Sequence, residues 1–391
     1  MFFIRSILLL IVLLFAAGIQ KQAGAAEKEP VLESESAILM DAKSGDIIFQ
    51  KNSGKKMYPA SITKIATAIY AIEKANLEDT VTVSANAANT DGTKVYLEEG
   101  EQMKLKQLIQ GMLINSGNDA AMAVAEYVSG NPDQFSKDIN AYLHERIGVS
   151  QTNFMNPSGL FHEDHYTTSE DMAKITAYAM KNDGFREIFQ TKKLPWNGKS
   201  WDTTLVNHHR MLTGEIPYAG ITGGKNGFVN ESKHTLVTTA KRDNLDLIAV
   251  VLKADQKNFM YKDTMQLLDY GFKGFETKKY VQGESFSTES ADSAKLPSDL
   301  MITKKKNETL SERVDSSGKL NILGEDGRII NSMQLAIDNK HEPKEEDPNS
   351  TDTACGWRNQ SVFAAHFNGS LPAGFIGDRQ ICKKIKKQLS F

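Results

Sequence analysis

The chain has 391 residues, 40% of them apolar and 24% charged, and carries a formal net charge of −3. That length accommodates a large core and two domains, and the composition is that of a folded globular protein. With no basic excess to hold a phosphate backbone, nucleic acid is excluded as the expected partner.

The N-terminus departs from this composition. MFFIRSILLLIVLLFAAGIQKQAGAA has Arg5 early, an unbroken apolar run from Ile7 to Ala17, and small residues ending Ala23-Gly24-Ala25. This order predicts a secretory signal over residues 1–25, since the apolar run is short for a membrane span. An uncleaved anchor is the competing reading. Cleavage would remove Arg5 and Lys21 and no acidic residue, leaving a more acidic mature chain.

Residues 36–50, SAILMDAKSGDIIFQ, predict a hairpin around Lys43-Ser44-Gly45. After Pro59, Ile65, Ala68, Ile69 and Ile72 fall on one stripe of a helix. Further helical patterns lie at about 104–115, 119–129, 133–147, 169–181 and 258–273. GITGGKNGFV, HTLVTTAK and LDLIAVVL read as three strands separated by polar turns. Joined to the first hairpin, they predict one antiparallel sheet, so residues 31–275 are read as a single α/β domain.

Beyond Tyr280, short β-like stretches such as KLNILG and GRIINSMQLAI predict a smaller β-rich domain over 280–378. HEPKEEDPNSTD, at 341–352, reads as a charged loop. At 379–391, Ile381, Ile385 and Leu389 alternate with Lys383, Lys384, Lys386 and Lys387. Such a basic amphipathic helix suits an anionic membrane surface or its own domain. The two cysteines, Cys355 and Cys382, both near the C-terminus, could be joined in an exported chain, and their pairing stays open.

Three stretches carry chemistry. In Ser61-Ile62-Thr63-Lys64 the serine hydroxyl and lysine amine share a helical face. A lysine kept neutral by burial or by a second cation can take the serine's proton. The helix start also offers free N–H groups to an oxyanion at Ser61. In Ser116-Gly117-Asn118 a hydroxyl can relay protons and an amide can hold a carbonyl, although Asn118 also suits a helix cap. In Lys225-Asn226-Gly227 a cation stands on a strand edge beside a glycine that lets a ligand lie against the backbone.

These motifs occur in the order S-x-x-K, S-x-N, K-x-G, and the set resembles the active site of penicillin-binding proteins and serine β-lactamases. SAILMDAKSGDIIFQKNSGKKMYPASITKIATA and NPSGLFHEDHYTTSEDMA extend the likeness to low-molecular-mass penicillin-binding proteins of the D-alanyl-D-alanine carboxypeptidase family, over roughly residues 31–275. The resemblance implies a sheet flanked by helices with a helical lobe, as in β-lactamases and transpeptidases. It further implies that Ser61 attacks the bond between the terminal D-alanines of a peptidoglycan stem peptide, with Lys64 as base and Ser116 as proton relay. Asn118 would hold Lys64 and the substrate amide, Lys225 would face the carboxylate, and the N–H groups of Ser61 and Phe228 would form the oxyanion hole. No metal or organic cofactor is implied. β-Lactams would be covalent inhibitors, and the chain would work at the extracytoplasmic face of the bacterial membrane or in the cell wall.

One departure bears on recognition: Asn226 and Gly227 follow Lys225 where the family usually has threonine and glycine. Asparagine can donate a hydrogen bond in place of the hydroxyl, with a bulkier body. The alternatives are a β-lactamase, a D,D-endopeptidase, and an impaired or non-catalytic peptidoglycan-binding homologue. A zinc peptidase built on His162-Glu163-Asp164-His165 and His208-His209 lacks the spacing of a two-histidine site.

Overall fold

The computed structural model describes residues 28–287 and 293–337. The expected signal segment, the acidic loop at 341–352, both cysteines and the basic tail at 379–391 lie outside the described residues.

In chain order the hairpin strands are β1 (Ser36–Asp41) and β2 (Ile47–Lys51), followed by a 3-10 turn at Ala60–Thr63 that runs into α1 (Lys64–Lys74). Then come α2 (Leu105–Ile114), α3 (Asn118–Ser129), α4 (Pro132–Tyr142), α5 (Ser169–Ala179) and α6 (Asp183–Phe189). A second hairpin, β3 (Lys193–Asn197) and β4 (Asp202–Val206), precedes β5 (Ile221–Val229), β6 (Lys233–Arg242) and β7 (Leu245–Ala254). The long α7 (Lys257–Gly274) leads to β8 (Phe275–Tyr280), β9 (Leu300–Lys305), β10 (Ser311–Val314), β11 (Lys319–Leu323) and β12 (Ile329–Gln334).

The first hairpin and the later strands form one antiparallel sheet in the order β2-β1-β7-β6-β5, as the sequence predicts. Every residue of β1 is buried. Side chains alternate across a strand, so Ile38, Met40, Ile248 and Val250 pack on the face covered by α1 and α5. Leu39, Ala37, Leu247 and Ala249 pack on the other, against Tyr261 and Leu268 of α7. Burial on both faces is why these strands read as unbroken apolar runs.

The helix α6 and the β3–β4 hairpin were not expected from the sequence. Both are short, and each hairpin strand buries only one residue, Trp196 or Leu205. Past Gly274, β8 pairs with β9 and β10–β12 form a three-stranded sheet around Tyr280, Ile302, Leu320 and Ile322. Asp41 ties β8 and β9 to the main sheet: its Oδ2 accepts from Thr277 Oγ1 at 2.5 Å and from Thr303 Oγ1 at 2.8 Å. No described helix is long and apolar enough to cross a membrane.

Candidate active site

The three motifs converge at one end of α1. Lys64 is the first residue of that helix and Ser61 lies in the 3-10 turn before it. Lys64 Nζ donates to Ser61 Oγ at 3.0 Å, to Asn118 Oδ1 at 2.7 Å and to the Ser158 carbonyl at 2.7 Å. The lysine is fully buried. Burial, reinforced by the nearby Lys225 cation and opposed by Asp119, holds its amine well below the usual ammonium range. Once neutral, the amine keeps two N–H donors for Asn118 and Ser158 and can turn its lone pair to Ser61 Oγ.

Asn118 is placed by backbone rather than by a capping role. It opens α3, the residue before it being the cap, and its side chain makes no cap bond. Its Nδ2 donates to the Asp91 carbonyl at 2.7 Å, which turns Oδ1 toward Lys64. Next to it, buried Asp119 accepts the N–H groups of Val95 and Leu97, fastening the 91–97 loop against the site. Ser116 is nearly buried and sits at φ 63°, a left-handed conformation uncommon for a residue with a side chain.

Lys225 and Gly227 lie on β5, the edge strand, whose other side pairs with β6. Lys225 is also buried, its Nζ donating to the Asn226 carbonyl at 2.8 Å, and burial lowers its pKa to about 7. A Cβ at Gly227 would lie 2.6 Å from the Ser61 nitrogen and 2.7 Å from Thr235 Oγ1. Only glycine lets this strand press so close to the turn that carries Ser61. Thr235 Oγ1 in turn donates to the Pro59 carbonyl at 2.8 Å, joining β6 to the same turn. Asn226 is half-buried, and Phe228 is 52% exposed with its ring against His234.

A model of the D-alanyl-D-alanine carboxypeptidase family matches residues 23–256. The chain belongs to this family. It is 34% identical to the D-alanyl-D-alanine carboxypeptidase DacF of Bacillus subtilis over 266 residues, which cover 66% of this chain and 67% of the relative. To DacC of Escherichia coli, a carboxypeptidase of the same name, it is 31% identical over 63% of each chain. Its fold matches the crystal structure of penicillin binding protein 5 from Haemophilus influenzae with a TM-score of 0.70 and 27% identity, covering 79% of this chain and 98% of that one. As a member of the carboxypeptidase family the chain is an enzyme, with the sheet-and-helix architecture expected of it.

Several residues of this carboxypeptidase site had no place in the sequence reading. The Ser158 carbonyl, third partner of Lys64, comes from NPSGL, a stretch noted only for its likeness. Within it Gly159 has φ 84°, and a Cβ there would stand 1.9 Å from the Ala60 carbonyl. Two of the histidines that suggested a metal, His165 and His209, have structural duties. His165 Nδ1 accepts from the Met155 N–H at 3.0 Å, so Nε2–H donates to Thr63 Oγ1 at 2.9 Å, and Thr63 donates to the Ala60 carbonyl. His209 Nδ1 accepts from the Leu212 N–H while Nε2 meets Thr238 Oγ1 at 2.8 Å. Burial pushes both imidazoles down to about 3, so they stay neutral supports. Among the described residues, no group of histidines, cysteines and carboxylates is arranged to hold a metal ion.

Proposed function

We propose that the protein removes the terminal D-alanine from peptidoglycan stem pentapeptides through an acyl-enzyme on Ser61. The observation that carries this reading is the contact of a buried, desolvated Lys64 amine with Ser61 Oγ. Lys64 takes the hydroxyl proton as Oγ bonds to the carbonyl carbon of the penultimate residue. The tetrahedral oxyanion is held by the N–H groups of Ser61 and Phe228. Collapse breaks the C–N bond, and the leaving amine receives its proton by way of Ser116, releasing D-alanine. Water then attacks the ester, with Lys64 again as base, and frees the shortened peptide.

Recognition falls to the edge of β5. The peptide extends along this strand with its carboxylate toward Lys225 and Asn226, while Asn118 holds the amide on the far side of the scissile bond. β-Lactams acylate the same serine. Export by the N-terminal signal places the reaction outside the membrane, with the basic tail as a contact to its surface.

Labelling with a fluorescent penicillin tests the assignment. One covalent adduct is expected on the intact protein and none on Ser61→Ala, together with D-alanine release from a pentapeptide by the intact protein alone. Labelling that persists in Ser61→Ala would disprove the nucleophile.

A further inference from the structure

Away from Ser61, a cavity of about 550 Å³ opens at the end of the main sheet where α5 and α6 meet it. Its size is that of a small-ligand site. Lys43, Lys181, Arg186 and Lys241 line it, opposed by one carboxylate, Asp246. In a chain of net charge −3, four cations to one anion is a local reversal of sign.

The cations are only loosely committed. The Lys43 and Lys241 ammoniums stand 3.6 and 3.8 Å from the Asp246 oxygens, beyond hydrogen-bonding distance. Lys43 Nζ also donates to the Asn244 carbonyl. Arg186 donates to the Met180 carbonyl at 2.7 Å and pairs with Asp183, whose side chain is 90% exposed. Such an exposed pair is cheap to exchange for another anion. Lys181 has no side-chain partner among the described residues.

Beneath the cations the floor is apolar: Ala42, Ala177, Ala240, Leu247 and Met301. A bare inorganic anion would use the rim and leave this floor wet. An organic anion with small apolar groups uses both.

We propose that this cavity is a second, non-catalytic binding site for a short acidic peptide. The choice of the stem tetrapeptide as its occupant rests on the proposed function; the cavity's anion preference does not. A tetrapeptide carries several carboxylates and small methyl side chains, which suit the cationic rim and the alanine-lined floor. Held here, a neighbouring stem peptide would keep the enzyme on the polymer while Ser61 works on another.

The test uses the full chain with its active site blocked by benzylpenicillin, the adduct being verified by mass. Titration with the stem tetrapeptide, followed by calorimetry, is expected to show one equivalent bound. Affinity should fall about tenfold in the double variant Lys181→Gln, Arg186→Gln, and further as salt rises. Penicillin acylation of that variant should equal that of the parent. No binding to the acylated protein, or equal affinity in the double variant, would overturn the proposal. Equal competition by inorganic phosphate would replace the peptide with a phosphate ligand. If no penicillin adduct forms, the catalytic reading fails separately. The cavity is then judged on Ser61→Ala protein, where tetrapeptide binding lost in the double variant still upholds an acidic-peptide site.

Discussion

Lys64 Nζ stands 3.0 Å from Ser61 Oγ, and among the described residues the cation whose field acts on it is another buried lysine, Lys225. In the proposed mechanism the pair divides two tasks that need opposite protonation states. Lys64 is neutral to accept a proton, whereas Lys225 is charged to attract a carboxylate.

This division predicts a bell-shaped kcat/KM. Activity should rise as Lys64 loses its proton at its depressed pKa and fall as Lys225 loses its own near pH 7 in the free enzyme. The two limbs belong to the coupled pair rather than to single residues. In the substrate complex a carboxylate beside Lys225 favours the ammonium, so the alkaline limb of kcat should lie at higher pH than that of kcat/KM. Rate profiles for pentapeptide hydrolysis check both. A kcat/KM climbing steadily to about pH 10, the ordinary lysine range, would mean that Lys64 is not depressed.

The closeness of β5 to the turn that carries Ser61 predicts a sharp contrast between glycines. Gly227→Ala places a methyl 2.6 Å from the Ser61 nitrogen, so strand or turn must shift, while nothing lies within 4 Å of a Cβ at Gly54. A displacement of about 1 Å at the reacting groups can cost roughly a hundredfold in rate. Penicillin acylation is therefore expected to drop about tenfold or more in Gly227→Ala and to stay unchanged in Gly54→Ala. Equal rates in both variants would refute the contact.

Much of this arrangement was legible in the sequence, for identifiable reasons. The central strands β1 and β7 are buried on both faces, so they appear as largely apolar runs. Ser61 and Lys64 are neighbours on one turn, which makes their contact a matter of local spacing. What stayed hidden depends on the backbone or on distant packing. The Ser158 carbonyl offers no side chain to recognise, and His165 looks like a ligand until Met155 and Thr63 are seen at its two nitrogens. Asn118 looked like a cap because it begins a helix; its bond to the Asp91 carbonyl, 27 residues away in the chain, decides otherwise.

The same histidine predicts how stability responds to acid. His165 titrates at about 3 in the fold against 6.5 ordinarily, because burial disfavours its cation. Its contribution is fully present above pH 6.5. Between 6.5 and about 3 the unfolded chain binds a proton that the folded chain refuses, so stability falls with falling pH. At about pH 5 the loss from this group is on the order of 2 kcal/mol. Urea unfolding at neutral pH and at about pH 5 should show a smaller difference for His165→Gln than for the parent, although the variant is less stable at both. His209 contributes in the same direction and preserves part of the slope. Identical slopes for parent and variant would remove His165 from this account.

Asn226 is the remaining departure from the family pattern, and its position in β5 defines what it can affect. It is half-buried, next to Lys225, and its carbonyl already accepts the lysine's Nζ at 2.8 Å. None of the three partners of Lys64 involves it, so proton transfer from Ser61 does not depend on its side chain. In the proposed mechanism what depends on it is a hydrogen bond to the substrate carboxylate, which asparagine would make through a longer and bulkier amide. A charge-assisted bond of this kind contributes about 1.5–3 kcal/mol when well formed. Asn226→Thr is therefore expected to raise kcat/KM for a pentapeptide by up to about tenfold, mainly by lowering KM, with kcat nearly unchanged. Steady-state D-alanine release by the two proteins measures this directly. A gain confined to kcat would place Asn226 in the chemical step, and a loss would mean that the amide is the better partner in this site.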